Sequence, residues 1–480
     1  RQVHPDYGNW NDVAALDKHA SLMFDFVANH ASVENPLIQS ALINRHLPEE
    51  DSRHNQFEQY KDFVIAYDKQ SPPSQEDIEK LSRPRPNPVL SPYVVEDNNG
   101  KLKAFLGQPG EATGEVVGEG LVWTTFSRAK KDDGTEDTRQ VDLNFANPNV
   151  FLEVVRILFF YLQQGADLIR LDAIAYIWKN LGSVSVHEPQ AHALLRAMDI
   201  VLTSAAPGSV TIAEVNEPED SYFTYLGEGN TKESDMVYQF AHFPLAIHAL
   251  ITESGEYYTQ WLGHTGRFKG RQFTTVLGSH DGLGIKPVRE ILPEEELERL
   301  TNTLATENGG LANHGKLPGG KEIIYEVAST PWNLLNKPDS GETFETQLSR
   351  YLTVLALGLL PRGIPAIYFN GLIGALNYQP PGGLDENRTI NREIFDATAY
   401  LLKKRASQSA FNPNAPDLEI ITTDKKEIIA VKIPDRDSSK SLLAVHNISK
   451  TQQTIEVPTT TRQLHDVISN QVFTGDGTKV

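Results

Sequence analysis

Apolar positions along the chain fall into two alternating patterns. FLEVVRILFFYLQQG (151–165) has the spacing of an apolar helix and closes at Gly165, and it runs into GADLIRLD (165–172). There Leu168, Ile169 and Leu171 predict a short strand buried on both faces. AHALLRAMDIVLTSA (191–205) leads into VTIAEV (210–215) in the same way. Near the start, NDVAALDKHA (11–20), with Asn11 as its expected N-cap, feeds the strand LMFDFVAN (22–29). EEELERLTNTLA (294–305) and QLSRYLTVLALGLL (347–360) predict two further helices, and GIPAIYF (363–369) a late strand. This repeat of helix and strand predicts an α/β fold, a parallel (β/α)8 TIM barrel.

Two stretches depart from the repeat. From 31 to 140 the sequence is charged and rich in Pro and Gly, as in SRPRPNP (82–88) and GQPGEATGEVVGEG (107–120), which predicts a loop-rich insertion over the barrel rim. After 412, the alternation in 417–447 predicts a small antiparallel β domain. The expected division is therefore barrel over 1–30, an inserted lid over 31–140, the rest of the barrel over 141–411 and the β domain over 412–480.

Arg170 and Asp172 stand where a doubly buried strand should be driest. A buried ion pair that only stabilises the fold would explain two such residues. It does not explain the recurrence, because FDFVANH (24–30), VTIAEV and VLGSHDG (276–282) also end in acidic residues or histidine. Carboxylates at successive strand ends describe an active site at the C-terminal face of a barrel. Retaining cleavage of a glycosidic bond needs a nucleophilic carboxylate and an acid/base carboxyl, and Asp172 and Glu214 are suitably placed. Asp281 is a candidate to stabilise positive charge on the sugar, with His280 beside it to bond a hydroxyl. Arg170, two residues before Asp172 and so on the same strand face, is expected to keep that carboxylate ionised and oriented. Asn29 and His30 are placed for substrate contact, whereas Asp25 reads as a structural rim residue.

Charge narrows the class. A net charge of −19 and a pI near 5.2 over 480 residues argue against nucleic acid or an anionic membrane surface as partner. With no cysteine, disulfides, thiolate nucleophiles and Cys-based zinc sites are excluded, which fits a reducing, cytoplasmic setting. The most apolar run, 351–360, is cut short by Pro361 and is too short to span a bilayer. GLANHGKL (310–317) approaches a phosphate-binding loop but places Leu317 where a hydroxyl is needed. HEPQAH (187–192) spaces its histidines wrongly for a zinc helix, and Pro189 suggests a loop. No metal or organic cofactor is expected.

The ordered motifs FDFVANH, IRLDAIAY, IAEV and GSHDG, with QVDLN (140–144), resemble those of glycoside hydrolase family 13, the α-amylase clan. The resemblance implies Asp172 as nucleophile, Glu214 as general acid/base and Asp281 as transition-state stabiliser, with His30, Arg170 and His280 around the glucosyl unit. VWTTFS (122–127), RLDAIAYIWK, VYQFA (237–241), SHDGLG and TINRE look most like the sucrose phosphorylase subfamily. That likeness implies transfer of glucose from sucrose or a related glucoside to inorganic phosphate through a covalent glucosyl-Asp172 intermediate. Arg392 and Arg85 match arginines that such relatives direct at phosphate or acceptor. A hydrolase or transglucosidase of the same clan, or a non-catalytic carbohydrate-binding protein, are the alternatives. After AEVN the chain carries Glu217, Pro218 and Glu219 where several relatives carry N-V-P-H, so repulsion of an incoming phosphate is expected there. The family's FDFVANH strand is third of eight, so the resemblance implies an N-terminally truncated fragment that folds poorly alone.

Overall fold

A computed structural model describes residues 3, 8–51, 60–82, 89–126, 140–229, 231–265, 272–279, 281–316, 321–337, 339–377, 408, 417–434, 441–449, 451, 453, 463–465 and 472–474. The chain divides into two compact units. The first comprises Arg1–Val215, Phe223–Met236 and His314–Ile323; the second comprises Asn216–Tyr222, Val237–Asn313 and Ile324–Val480.

In the first unit, strand Leu22–Val27 pairs in parallel with Ala166–Asp172, which pairs in parallel with Val210–Ala213. The register sets Asp25 opposite Arg170, Val27 opposite Asp172 and Leu171 opposite Ala213. The intervening helices are amphipathic at helical spacing. Pro148–Gln163 buries Val150, Val154 and Leu158, and Pro189–Ala205 buries Ala191, Leu195, Met198 and Leu202. Pro189 opens the second helix rather than breaking a turn, so HEPQAH is a loop only as far as Glu188. Its missing N–H costs nothing at the first helical position. The first helix is Trp10–Asp17, and its cap is Asn9, not Asn11. Asn9 accepts from the Asn11 N–H while Asp12 accepts from the Asn9 N–H, a reciprocal capping box.

Between its loops the insertion carries a four-stranded antiparallel sheet of Ala66–Asp68, Glu115–Trp123, Leu90–Asn98 and Lys101–Leu106, in that order. Its strands are Val-rich, with Val94, Val95, Ala104 and Val122 fully enclosed. Lys101–Leu106 is an edge, and Gln39 on helix Pro36–Asn44 covers it by bonding both the N–H and the carbonyl of Ala104.

The second unit packs helices His242–Thr252, Glu256–Thr265, Glu294–Asn302 and Phe344–Gly358 around a core that includes Leu245, Trp261, Leu300, Tyr351 and Leu357. Strands Gln272–Leu277 and Ile364–Ile367 run parallel. The expected C-terminal sheet is present as Glu419–Ile420, Ile428–Pro434 and Ser441–Asn447, antiparallel, with Ile429, Val431 and Ile433 turned into the core. The helix expected over 294–305 is α-helical only to Asn302 and continues as a π-helical turn, Thr303–Glu307. Residues 311–316, within the phosphate-loop lookalike at 310–317, are a strand. Among the described residues no helix is long and apolar enough to cross a membrane.

Candidate active site

Strand Ala166–Asp172 brings the first unit's charges together. Arg170 and Asp172 point to one face because strand side chains alternate. Arg170 Nη1 contacts Asp172 Oδ1 at 2.7 Å and Asp25 Oδ1 at 2.6 Å, and Nη2 lies 4.0 Å from Glu214 Oε1. One guanidinium thus serves three carboxylates on three neighbouring strand ends. Its side chain is only 13% exposed, and those carboxylates keep it cationic against the cost of burial.

Glu214 is placed by backbone as well as charge. Its N–H bonds the Leu171 carbonyl at 3.0 Å, and its Oε2 accepts from the Ala173 N–H at 3.2 Å. Ala173 has φ +53°, a left-handed conformation that turns the chain sharply after Asp172 into the short 3₁₀ turn Ile174–Tyr176. Burial raises the Asp172 pKa above the ordinary carboxylate value. Arg170 opposes that rise and Asp25 adds to it. Arg170 therefore favours the ionised form of Asp172 but does not outweigh burial. Asp25, expected as a structural rim residue, shares the same guanidinium.

His30 opens strand His30–Ser32, opposite Asp142 on strand Gln140–Asp142. Its ring lies 5.2 Å from that of Phe126, which in turn meets Tyr176 edge-on at 5.1 Å. Behind it lies a buried cation to which sequence reasoning assigned no role. Lys179 Nζ bonds Asp142 Oδ2 at 2.6 Å, Asn29 Oδ1 at 2.7 Å and the Tyr176 carbonyl at 2.6 Å. Asn29 and Asp142 are fully enclosed, and Asn29 Nδ2 is 3.4 Å from His30 Nδ1. Burial lowers the Lys179 pKa, and Asp142 counters it. Asp142 also accepts from Thr125, whose oxygen receives the Trp123 indole N–H. The sequence signal was there in QVDLN and in a lysine closing the RLDAIAYIWK motif, but neither residue names its partner.

Asp281 belongs to the second unit, in the loop after strand Gln272–Leu277. Ser279 Oγ accepts the Asp281 N–H at 3.2 Å and donates to the Gly282 carbonyl at 3.0 Å. Gly282 has φ +97°, and a Cβ there would fall 2.3 Å from the Val327 carbonyl oxygen, so the loop requires glycine. In the same unit Glu217 is paired with Lys286, Nζ to Oε1 at 2.6 Å, and Glu219 receives the Tyr222 hydroxyl at 3.3 Å. Glu217 is therefore an ion-paired carboxylate. His280, Arg85 and Arg392 lie outside the described residues. Among the described residues no group of three or more His, Asp or Glu is placed to hold a metal ion.

Chemically, a guanidinium-clamped carboxylate beside a second, largely enclosed carboxyl suits nucleophilic and acid/base catalysis at an anomeric carbon. The comparisons with known proteins agree in family. The alpha-amylase catalytic-domain model matches residues 130–287. A glucosylglycerate phosphorylase of Allomeiothermus silvanus is 32% identical over 89% of this chain and 72% of its own length. That of Escherichia coli K12 is 30% identical over 95% and 76%. A sucrose phosphorylase of Streptococcus mutans is 26% identical over 82% and 71%. Among solved structures, the sucrose 6F-phosphate phosphorylase of Thermoanaerobacter thermosaccharolyticum matches with a TM-score of 0.69 and 20% identity, over 100% of this chain and 86% of that one. The fold is thus the (β/α)8 barrel with a C-terminal antiparallel β domain, and the chain belongs to glycoside hydrolase family 13, among its sucrose phosphorylase-like members.

Proposed function

We propose that the protein is a retaining α-glucosyl phosphorylase that splits a glucoside of a small hydroxylated acceptor with inorganic phosphate. The observation that carries this reading is Arg170 reaching both Asp172 and Glu214, in a chain with phosphorylase relatives. Asp172 attacks the anomeric carbon as the bond to the leaving-group oxygen breaks, and Glu214 delivers a proton to that oxygen. A phosphate oxygen then attacks the same carbon, displaces the Asp172 carboxylate and returns its proton to Glu214. α-Glucose 1-phosphate results, with configuration retained by two inversions. Asp281 stabilises positive charge on the ring, and His30, Arg170 and His280 hold the glucosyl unit. Arg85 and Arg392 serve phosphate or acceptor. The domain division we assign is a barrel of 1–30 and 141–411, a lid of 31–140 that excludes water in favour of phosphate, and a β domain of 412–480.

Glucosylglycerate is favoured over sucrose as donor, because glucosylglycerate phosphorylases are more similar, at 32% and 30% identity, than the sucrose phosphorylase at 26%. The test is to incubate the protein with glucosylglycerate, glucosylglycerol, sucrose and sucrose 6′-phosphate, with and without phosphate, and to assay α-glucose 1-phosphate. Phosphate-dependent product, greatest from glucosylglycerate, is expected. Release of free glucose at the same rate without phosphate would replace this reading with a hydrolase.

A further inference from the structure

Lys179 is a buried cation, its side chain 3% exposed, that the proposed chemistry leaves unused. Asp142 Oδ2, Asn29 Oδ1 and the Tyr176 carbonyl surround its Nζ at 2.6, 2.7 and 2.6 Å, and Thr125 Oγ1 stands at 3.3 Å. An ammonium has three N–H groups and no lone pair, so each of these bonds runs outward from Lys179. That fixed direction settles the next one. Asn29 must turn its Oδ1 to the ammonium, so its Nδ2, which can only donate, faces His30 Nδ1 at 3.4 Å. The Nδ1 atom must therefore offer a lone pair, and the proton of a neutral imidazole goes to Nε2. Asn29 is wholly enclosed. Rotating its amide would set NH2 against the ammonium and oxygen against a lone pair, with no bulk solvent to offset either.

His30 lies beside the proposed nucleophile, within the same unit. The Ala28 N–H, two residues earlier, bonds the Asp172 carbonyl at 3.3 Å, and a charge on the His30 ring is close enough to lower the Asp172 pKa. Ionised, Asp25 and Asp172 can only accept hydrogen bonds, so sugar hydroxyls bound among them give their protons to carboxylates and need donors for their oxygens. We propose that Lys179 is a positioning residue: through Asn29 it holds His30 as the neutral Nε2–H tautomer, a hydrogen-bond donor to a hydroxyl of the glucosyl unit. The tautomer stands on the network alone, and the hydroxyl rests on the glucosyl phosphorylase reading above.

The experiment is heteronuclear NMR of the full chain with ring-labelled histidine, at about pH 8.5, well above the ordinary histidine pKa. His30 is identified by the signals lost in His30→Gln, and kcat/KM for glucosylglycerate is measured alongside. The wild type is expected to show Nδ1 bare and Nε2 protonated; a proton on Nδ1 would overturn the inference without any variant. Asn29→Asp keeps one oxygen for Lys179 and turns a second toward His30. The ring proton should then move to Nδ1, and kcat/KM should fall by about tenfold, the worth of one hydrogen bond. Nδ1 still bare in that variant would end the control through Asn29, and a proton moved from Nε2 to Nδ1 with kcat/KM unchanged would end the role of Nε2 as donor. Lys179→Met releases the Asn29 amide, so His30 should show both tautomers in exchange; a His30 spectrum identical to the wild type's would reduce Lys179 to a structural role. Should Lys179→Met fail to fold, the Asn29→Asp spectrum still decides. If no donor yields glucose 1-phosphate, the phosphorylase reading fails by itself, and the His30 spectra still uphold or end the tautomer assignment.

Discussion

Asp25 and Arg170 lie 145 residues apart in sequence, yet share a 2.6 Å contact that bears on the proposed nucleophile. Burial pushes the Asp172 pKa up, Arg170 pulls it back and Asp25 raises it further. Replacing Asp25 with Asn removes a repulsive charge and leaves more of the guanidinium to Asp172, so both effects lower that pKa. The nucleophile acts ionised, so the acid limb of the kcat/KM profile should move to lower pH in Asp25→Asn; an unmoved or alkaline-shifted limb would exclude the coupling. Lys179 makes a different kind of contribution. Its ammonium is the counter-charge of Asp142, which is fully buried. Lys179→Met would leave that carboxylate without its cation, at a cost of about 3–5 kcal/mol. A denaturation midpoint equal to the wild type's would show that the pair contributes nothing net.

At the scale of elements, the candidate residues depend on sharp exits from strands. Ala173 turns the chain through a left-handed residue after Asp172, and Gly282 does the same after Asp281. The two are not equally tolerant. A methyl group at Gly282 meets the Val327 carbonyl oxygen at 2.3 Å, so Gly282→Ala combines an unfavourable φ with a backbone clash, together worth about 1–3 kcal/mol or more. Its expected result is a displaced Asp281 loop, with a fall in kcat larger than any fall in melting temperature alone explains. Full activity in that variant would show that the loop's position is not critical. Helix ends follow plainer rules. Pro148 and Pro189 each occupy the first turn of a helix, and Asn9 and Asn147 cap theirs through a side-chain oxygen.

For the molecule as a whole, buried titratable groups set the response of stability to acid. His242 is fully enclosed in the second unit, with Nδ1 3.1 Å from the Tyr258 hydroxyl, which donates to the Leu357 carbonyl at 2.9 Å. Burial lowers its pKa to about 3. Below the ordinary value near 6.5, the unfolded chain takes up a proton that the native state refuses, so stability is full above about pH 6.5 and declines as pH falls toward 3. Between pH 7 and pH 5 this one group should account for about 2 kcal/mol. Urea denaturation of the wild type and His242→Asn at both pH values measures it: the variant should gain that amount relative to wild type on acidification, and a constant difference would contradict the buried neutral imidazole. The sequence by itself determined the helix–strand repeat, the carboxylates at strand ends and the antiparallel C-terminal sheet, because these are properties of local spacing. It placed the first cap two residues late, at Asn11 instead of Asn9, and missed the sheet inside the insertion, where Pro92, Gly118 and Gly120 stand within the strands and break the expected pattern. Only the tertiary structure decided which charges answer which: Arg170 with Asp25, Lys179 with Asn29 and Asp142, Lys286 with Glu217. Periodicity fixes the face on which a side chain stands, but the partner comes from another part of the chain, and the low dielectric between them makes that choice the decisive one.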